Sequence, residues 1–231
     1  LLCRKKIVPS ENTEGDQNKS AHMLIVGGGP TAMELGQSLA RLHLNLTLVT
    51  PTLLASEDVT LQQAACQILR HDGIHLMLGA RVISLTKDRR AVLVYPNGTR
   101  MTTTDEIDAV IGCLGRKPTV ESLNLDAASI AWDHDHGISV DPSSLQSRTN
   151  PRVFAVGDCC SAVVGKNRKA AHAAWTGYHG VRNLALPRIL WAGSPAVHPT
   201  VPSVTYTDPE LASIGLTRSE CIQMYGRDGF W

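Results

Sequence analysis

The 231-residue sequence predicts an α/β fold built on a parallel sheet, and three observations carry that reading. His22–Val26 is an apolar run that ends in Gly27-Gly28-Gly29 and passes straight into a helix-like pattern at Pro30. Strand and helix patterns then alternate to about residue 115, the order that builds βαβ units. Three short strand-like pieces between 81 and 103 break that rhythm, and predict an antiparallel meander inserted into the parallel fold.

The elements follow in order. Residues 9–20 are polar, with Pro9 and Gly15, and read as a linker, so structure is expected to start near Ala21. Residues 22–36 form the strand, glycine turn and helix start that hold a dinucleotide pyrophosphate in doubly wound folds, although other ligands bind at such turns too. In that geometry Gly27 makes the tight turn, Gly28 lies beside it, and Gly29 lets a phosphate approach backbone N–H groups at the positive end of the following helix, which opens with Pro30 and Thr31. Ala32 takes the small-residue position where helix and strand pack closely. Ala32, Leu35, Leu39 and Leu42 recur at helical spacing, and 44–49 alternates as a second strand. Residues 57–72 carry Leu61, Ala64, Ala65, Ile68 and Leu69 on one helical face, closed by Gly73, and 74–78 is a third strand. The meander covers 81–86, 91–95 and 100–103, with Pro96-Asn97-Gly98 as its clearest turn. Residues 107–114 are apolar on both faces and predict a buried parallel strand, closing a nucleotide-binding domain over 21–115.

A second segment, 116–190, has its marker in Asn150-Pro151-Arg152-Val153-Phe154-Ala155-Val156-Gly157-Asp158, read as a short apolar strand ending in Gly-Asp. An Ala-rich helix from about 169 to 186 follows it. Pro187, Pro195, Pro199 and Pro202 mark a connection, and 191–231 is expected to hold it together with the start of a third unit.

Composition narrows the function classes. At 43% hydrophobic and 19% charged residues the chain is an ordinary globular one, and its net charge of +1 gives no reason to expect nucleic acid as a partner. No apolar run approaches the roughly 18 residues of a membrane span. The opening Leu1-Leu2-Cys3-Arg4-Lys5-Lys6 lacks an initiator Met and a targeting pattern, so the chain is expected to begin within a longer protein. Six cysteines, at 3, 66, 113, 159, 160 and 221, show no C-x-x-C spacing and no Cys/His cluster suited to a metal. Cys159-Cys160 are sequence neighbours whose disulfide would close a strained ring, so reduced thiols and an intracellular compartment are expected.

Four markers in order identify a resemblance. These are Gly27-x-Gly29-x-x-Ala32-x-Glu34, then 110–119 with Gly115-Arg116, then Val153-Phe154-Ala155-Val156-Gly157-Asp158, then Val201-Pro202-Ser203-Val204-Thr205-Tyr206-Thr207-Asp208-Pro209-Glu210. Over about 21–221 the chain resembles the FAD-dependent pyridine nucleotide-disulfide oxidoreductases, and its last marker is most similar to mercuric reductase-like and dihydrolipoamide dehydrogenase-like members. The resemblance implies an NAD(P)-binding domain at 21–115, the C-terminal half of an FAD-binding domain at 116–190, and the start of an α+β dimerisation domain. It implies FAD with NAD or NADP as cofactors, a small-molecule or small-protein redox acceptor, and a homodimer when full length. Glu34 would lie beneath the nicotinamide as a supporting catalytic residue; read from its position alone, it is a carboxylate complementing the helix dipole. Gly115 and Arg116 would form the crossing between domains, and Asp158 beside Gly157 would accept a hydrogen bond from the flavin ribityl chain. Ala171, His172 and Ala173 would present a helix N-terminus to the flavin ring. Thr50 stands where an acidic residue would bind the ribose 2′-hydroxyl, which leaves NAD and NADP both open.

The family's redox Cys-x-x-x-x-Cys and first FAD fingerprint lie upstream of this stretch, and its His/Glu pair downstream. His198-Pro199 imitates that pair but precedes the Val204 strand. The resulting expectation is a fragment of a hydride-transferring flavoprotein; the alternative is a non-catalytic NAD(P)-binding or sensor module of the same descent.

Overall fold

A computed structural model describes residues 21–163, 168–191 and 202–227. The expected linker 1–20, Cys3 and His198 lie outside the described residues. By packing, the described residues divide into two units: 21–115 with 204–212, and those of 116–203 with 213–227.

The first unit is a parallel four-stranded sheet in the order β3-β2-β1-β7, made of β1 (His22–Val26), β2 (Asn45–Thr50), β3 (His75–Leu78) and β7 (Ala109–Gly112). Helices α1 (Pro30–Arg41) and α2 (Val59–His71) join the first three strands. Each helix buries one apolar stripe, Ala32 and Met33 from α1 and Ala65, Ile68 and Leu69 from α2, against Met23, Ile25, Leu46 and Leu48 of the sheet. Leu24 and Val49 face the other way and are covered with Ala91, Leu93 and Ile107. That second core belongs to the meander β4 (Arg81–Leu85), β5 (Ala91–Val94) and β6 (Arg100–Thr102), which pair antiparallel as expected.

Two expectations need correction here. Strand β2 does not alternate: its last five residues are all buried, because it lies inside the sheet with both faces covered. Strand β7 is not buried on both faces, and Val110 is 37% exposed. It ends the strand order, and an edge strand has one neighbour fewer to cover it.

The second unit carries a small hairpin of β8 (Trp132–Asp133) and β9 (Gly137–Ile138), and helix α3 (Ala170–Ala185). Its core gathers Val120, Leu125, Ile138, Val140, Leu145 and Ala155. The strand expected over 153–156 is reduced to one isolated bridge, Gln146 to Phe154. The chain there is held instead by single backbone bonds, Ser147 N–H to Val153 O at 2.8 Å and Ala155 N–H to Leu145 O at 3.1 Å. Helix α4 (Arg218–Tyr225) begins with a complete capping box between Thr217 and Glu220. No helix among the described residues is long and apolar enough to cross a membrane.

Strands β10 (Ser203–Thr205) and β11 (Leu211–Ser213) pair with each other, and the residues between them pack on α1. Leu211 is 8% exposed and joins the core beneath α1.

Asp72 at the end of α2 ties that face together. Burial raises its carboxyl pKa, but the Gln37 amide at 2.6 Å, the Arg41 guanidinium at 3.4 Å and His71 outweigh burial and hold it below the usual carboxylate range. A carboxyl depressed in the folded state contributes stability that is present above its unfolded pKa of about 3.9 and is lost as pH falls through the folded value. Asp72→Asn is therefore expected to lower stability at pH 7 and to flatten its decline below about pH 4, as read by chemical unfolding across pH.

Candidate functional site

The turn from β1 into α1 is shaped by what a side chain would strike. Gly27 has φ of +131° and an ideal Cβ there would fall 2.2 Å from Cys113 O, so only glycine fits between β1 and β7. A Cβ on Gly28 would fall 2.3 Å from Thr52 O and 2.4 Å from Thr50 Oγ1. Gly29 is different: nothing lies within 4 Å of its Cβ position.

Gly29 is also the N-cap of α1, with no side-chain cap, and Pro30 follows at the first helical position. Ala32 and Met33 N–H groups turn back to Gly29 O at 3.0 and 3.3 Å, while Thr31 is exposed. A helix N-terminus with no capping side chain and an open face beside it suits an anionic oxygen. Ala32 is fully buried against the sheet, which brings the helix axis down onto β1.

Thr50 does not face outward from this turn. It is 4% exposed and its hydroxyl donates to Thr52 O at 3.0 Å, closing the loop after β2. Glu34, one turn into α1, is half-buried, and its Oε1 accepts the Tyr206 N–H at 3.0 Å. Gly115, with φ of +106°, and Arg116 are both exposed.

In the second unit, Gly157 and Asp158 form a single helical turn whose geometry is set by α3. Gly157 has φ of +69°, a Cβ on it would lie 3.2 Å from Ala173 Cβ, and its N–H donates to Thr176 Oγ1 at 2.9 Å. Asp158 Oδ1 is buried and meets no hydrogen-bond partner among the described residues. A buried carboxylate oxygen without a donor is able to accept a hydrogen bond from a hydroxyl. His172 is fully buried in the first turn of α3, while Ala171 beside it is exposed.

The sequence model of the pyridine nucleotide-disulphide oxidoreductases matches residues 3–177, about three quarters of the chain. The chain belongs to this family. Members of the family use FAD and NAD(P)H. Mercuric reductase from Bacillus cereus is 30% identical over 202 residues, covering 86% of this chain and 30% of its own length. Dihydrolipoyl dehydrogenase from Thermus scotoductus is 29% identical over 203 residues, 86% of this chain and 41% of that one. Glutathione reductase from Burkholderia cepacia is 29% identical over 212 residues, 87% of this chain and 42% of that one. The chain thus spans less than half the length of these relatives. Among solved structures, the HOCl-induced flavoprotein disulfide reductase RclA from Escherichia coli superposes with a TM-score of 0.63 at 21% identity, over 90% of this chain and 45% of its own.

Within this pyridine nucleotide-disulphide oxidoreductase fold, three residues that sequence reasoning passed over shape the sites. Thr176 is fully buried and also donates to His172 O at 2.9 Å, so it ties the Gly157 turn to α3 from both sides. Gly180, one turn further, leaves room for Val156: a Cβ there would sit 2.4 Å from Val156 Cγ1. Gly137 admits the chain at Cys159 in the same way, with its Cβ position 2.2 Å from Cys159 O. A glycine or threonine inside an Ala-rich helix gave no signal of its own; spacing from Gly157 would have been the only pointer.

Cys159 and Cys160 are both free thiols, and donate to Val156 O at 3.1 Å and Gly157 O at 3.3 Å. Burial pushes the Cys160 thiol pKa up, which keeps it protonated and inert as a nucleophile.

Replacing Thr176 by Val strands the buried Gly157 N–H and is expected to cost about 1–3 kcal/mol. Chemical unfolding measures that loss, and Thr176→Ser recovers most of it because the acceptor oxygen returns.

Proposed function

We propose that the chain supplies the NAD(P) site and part of the flavin site of a flavoprotein oxidoreductase. Gly27, Gly28 and Gly29, with the uncapped start of α1 at Pro30, Thr31 and Ala32, hold the dinucleotide pyrophosphate. Gly157 and Asp158, with the first turn of α3 at Ala171, His172 and Ala173, receive the ribityl chain and ring of FAD. Gly115 and Arg116 carry the chain from one nucleotide region to the other. The observation that carries this reading is the open face at Gly29, a position where the turn needs no glycine for its own packing.

When bound, FAD supplies acceptance of a hydride from reduced nicotinamide and its passage to a disulfide, metal-ion or other acceptor. Glu34 contributes a carboxylate near the nicotinamide end, fixed in place by Tyr206. The whole protein is a homodimer in this reading, and its thiols stay reduced in an intracellular compartment. Thr50 offers a ribose neither a carboxylate nor a free hydroxyl, so the choice between NAD and NADP does not rest on it.

Titration with NADH and NADPH, followed by calorimetry, tests the proposal on the chain itself. Gly29→Leu is expected to weaken binding about tenfold or more, about 1.4 kcal/mol, with the unfolding midpoint lowered only by the poorer N-cap that leucine makes, because nothing crowds that Cβ. Gly28→Ala is expected to lower the midpoint instead, since its Cβ meets the Thr50 and Thr52 turn. Equal affinity in wild type and Gly29→Leu, or no binding by either, sinks the proposal. The chain expressed alone is expected to lose FAD on gel filtration; tightly retained flavin absorbance would contradict the half-site assignment.

A further inference from the structure

Helix α1 leaves the glycine turn with Glu34, Gln37 and Arg41 along one stripe of its surface, and all three reach a single distant segment. Tyr206 N–H donates to Glu34 Oε1 at 3.0 Å. Asp208 N–H donates to Gln37 Oε1 at 2.8 Å, and Gln37 Nε2 donates back to Asp208 O at 2.9 Å. Arg41 Nη1 donates to Asp208 Oδ2 at 2.9 Å.

Gln37 therefore pairs with both backbone groups of one residue, as a neighbouring β-strand would. Its side chain is not free to turn over, because Nε2 also donates to Asp72 Oδ2 at 2.6 Å and the residue is 4% exposed. Below the segment, Leu211 reaches the same core as Met33, and Thr205 and Thr207 are each 3% exposed. Residues 205–211 are thus fastened to α1 by polar contacts along the chain and by an apolar anchor at its end. A buried amide making three hydrogen bonds is costly to desolvate unless all are kept, so this arrangement has one geometry.

We propose that residues 205–208 are a positioning strap for the Glu34 carboxylate, and that Gln37 is the positioning residue that sets it. The inference rests on the reading of α1 as the nicotinamide-side helix. A glutamate on a helix surface has three rotatable bonds, and one backbone N–H directed at Oε1 selects among their rotamers. Gln37 fixes where the segment lies along α1, and so fixes where the Tyr206 N–H meets Glu34. Arg41 and Asp208 add an exposed ion pair whose own contribution is small. The strap acts on the nicotinamide end alone, since the pyrophosphate turn at Gly27–Gly29 makes no use of it.

The test compares NADH with ADP-ribose, which keeps the pyrophosphate and lacks the nicotinamide, in wild type and Gln37→Leu, alongside amide hydrogen exchange. In Gln37→Leu, exchange at Tyr206 and Asp208 is expected to quicken about tenfold or more. NADH affinity is expected to fall about fivefold relative to ADP-ribose, whose own affinity stays within about twofold of wild type. In wild type, NADH is expected to slow Tyr206 exchange further than ADP-ribose does, a readout that stands even if the variant fails to fold. An unchanged Tyr206 amide, parallel loss of both ligands, or equal protection by both ligands overturns the strap. Retained ADP-ribose binding with an unchanged NADH ratio rejects the strap and leaves the dinucleotide site standing; no binding of either ligand by wild type rejects that site itself.

Discussion

The first unit depends on a close approach of backbone to backbone at Gly27 and Gly28. Strand β1 pairs with β2 on one side and β7 on the other, and the chain leaving β1 passes between the ends of both. Gly27 N–H donates to Val49 O at 3.0 Å and Leu54 N–H donates to Gly28 O at 2.7 Å, so the turn is stitched to the loop that follows β2. Any Cβ at either position would force those strand ends apart. Because the turn is fixed, α1 starts at one height on the sheet, Ala32 and Gly36 reach β1 and Ile74, and the polar stripe of Glu34, Gln37 and Arg41 falls on the opposite side. Of the three glycines, Gly29 alone is exempt from this packing.

The parts of this architecture that were legible in the sequence are those whose signal is local. Strands β1 to β3, helices α1 and α2 and the three-stranded meander follow from periodicity over five to fifteen residues, and the Gly27 turn from residue type alone. The family likewise follows from four short markers in order. What periodicity cannot report is how many neighbours a strand has. Residues 107–114 and 153–156 have similar apolar runs, yet the first forms an edge strand and the second a single bridge, because pairing is decided by distant chain.

The same limit applies more strongly to polar side chains. Gln37 and Asp208 are 171 positions apart, and although Asp208 lies in the fourth marker Gln37 lies in none, so nothing local joins them. Thr176 sits in an Ala-rich helix, where threonine is ordinarily an indifferent helix former. Its value comes from a backbone N–H at Gly157, 19 positions earlier, that no other group among the described residues satisfies. In both cases the informative property is the hydrogen-bonding need of a group that the fold buries, the Gln37 amide in one and the Gly157 N–H in the other, and that need exists only once the tertiary fold has removed water.

Thr50 shows how a position can carry a cofactor-reading role in a fold and a different burden in this chain. The last residue of the second strand lies near the adenine-side ribose in dinucleotide-binding folds, and a carboxylate there reads the 2′-hydroxyl. Here the side chain is turned inward, its hydroxyl is given to Thr52 O, and it crowds the Cβ position of Gly28. A larger acidic side chain could not occupy the same rotamer without displacing the glycine turn. The side chain at the position that would choose between cofactors is absorbed here into holding the glycine turn. Pro51 and Thr52, the next residues along, are by contrast exposed.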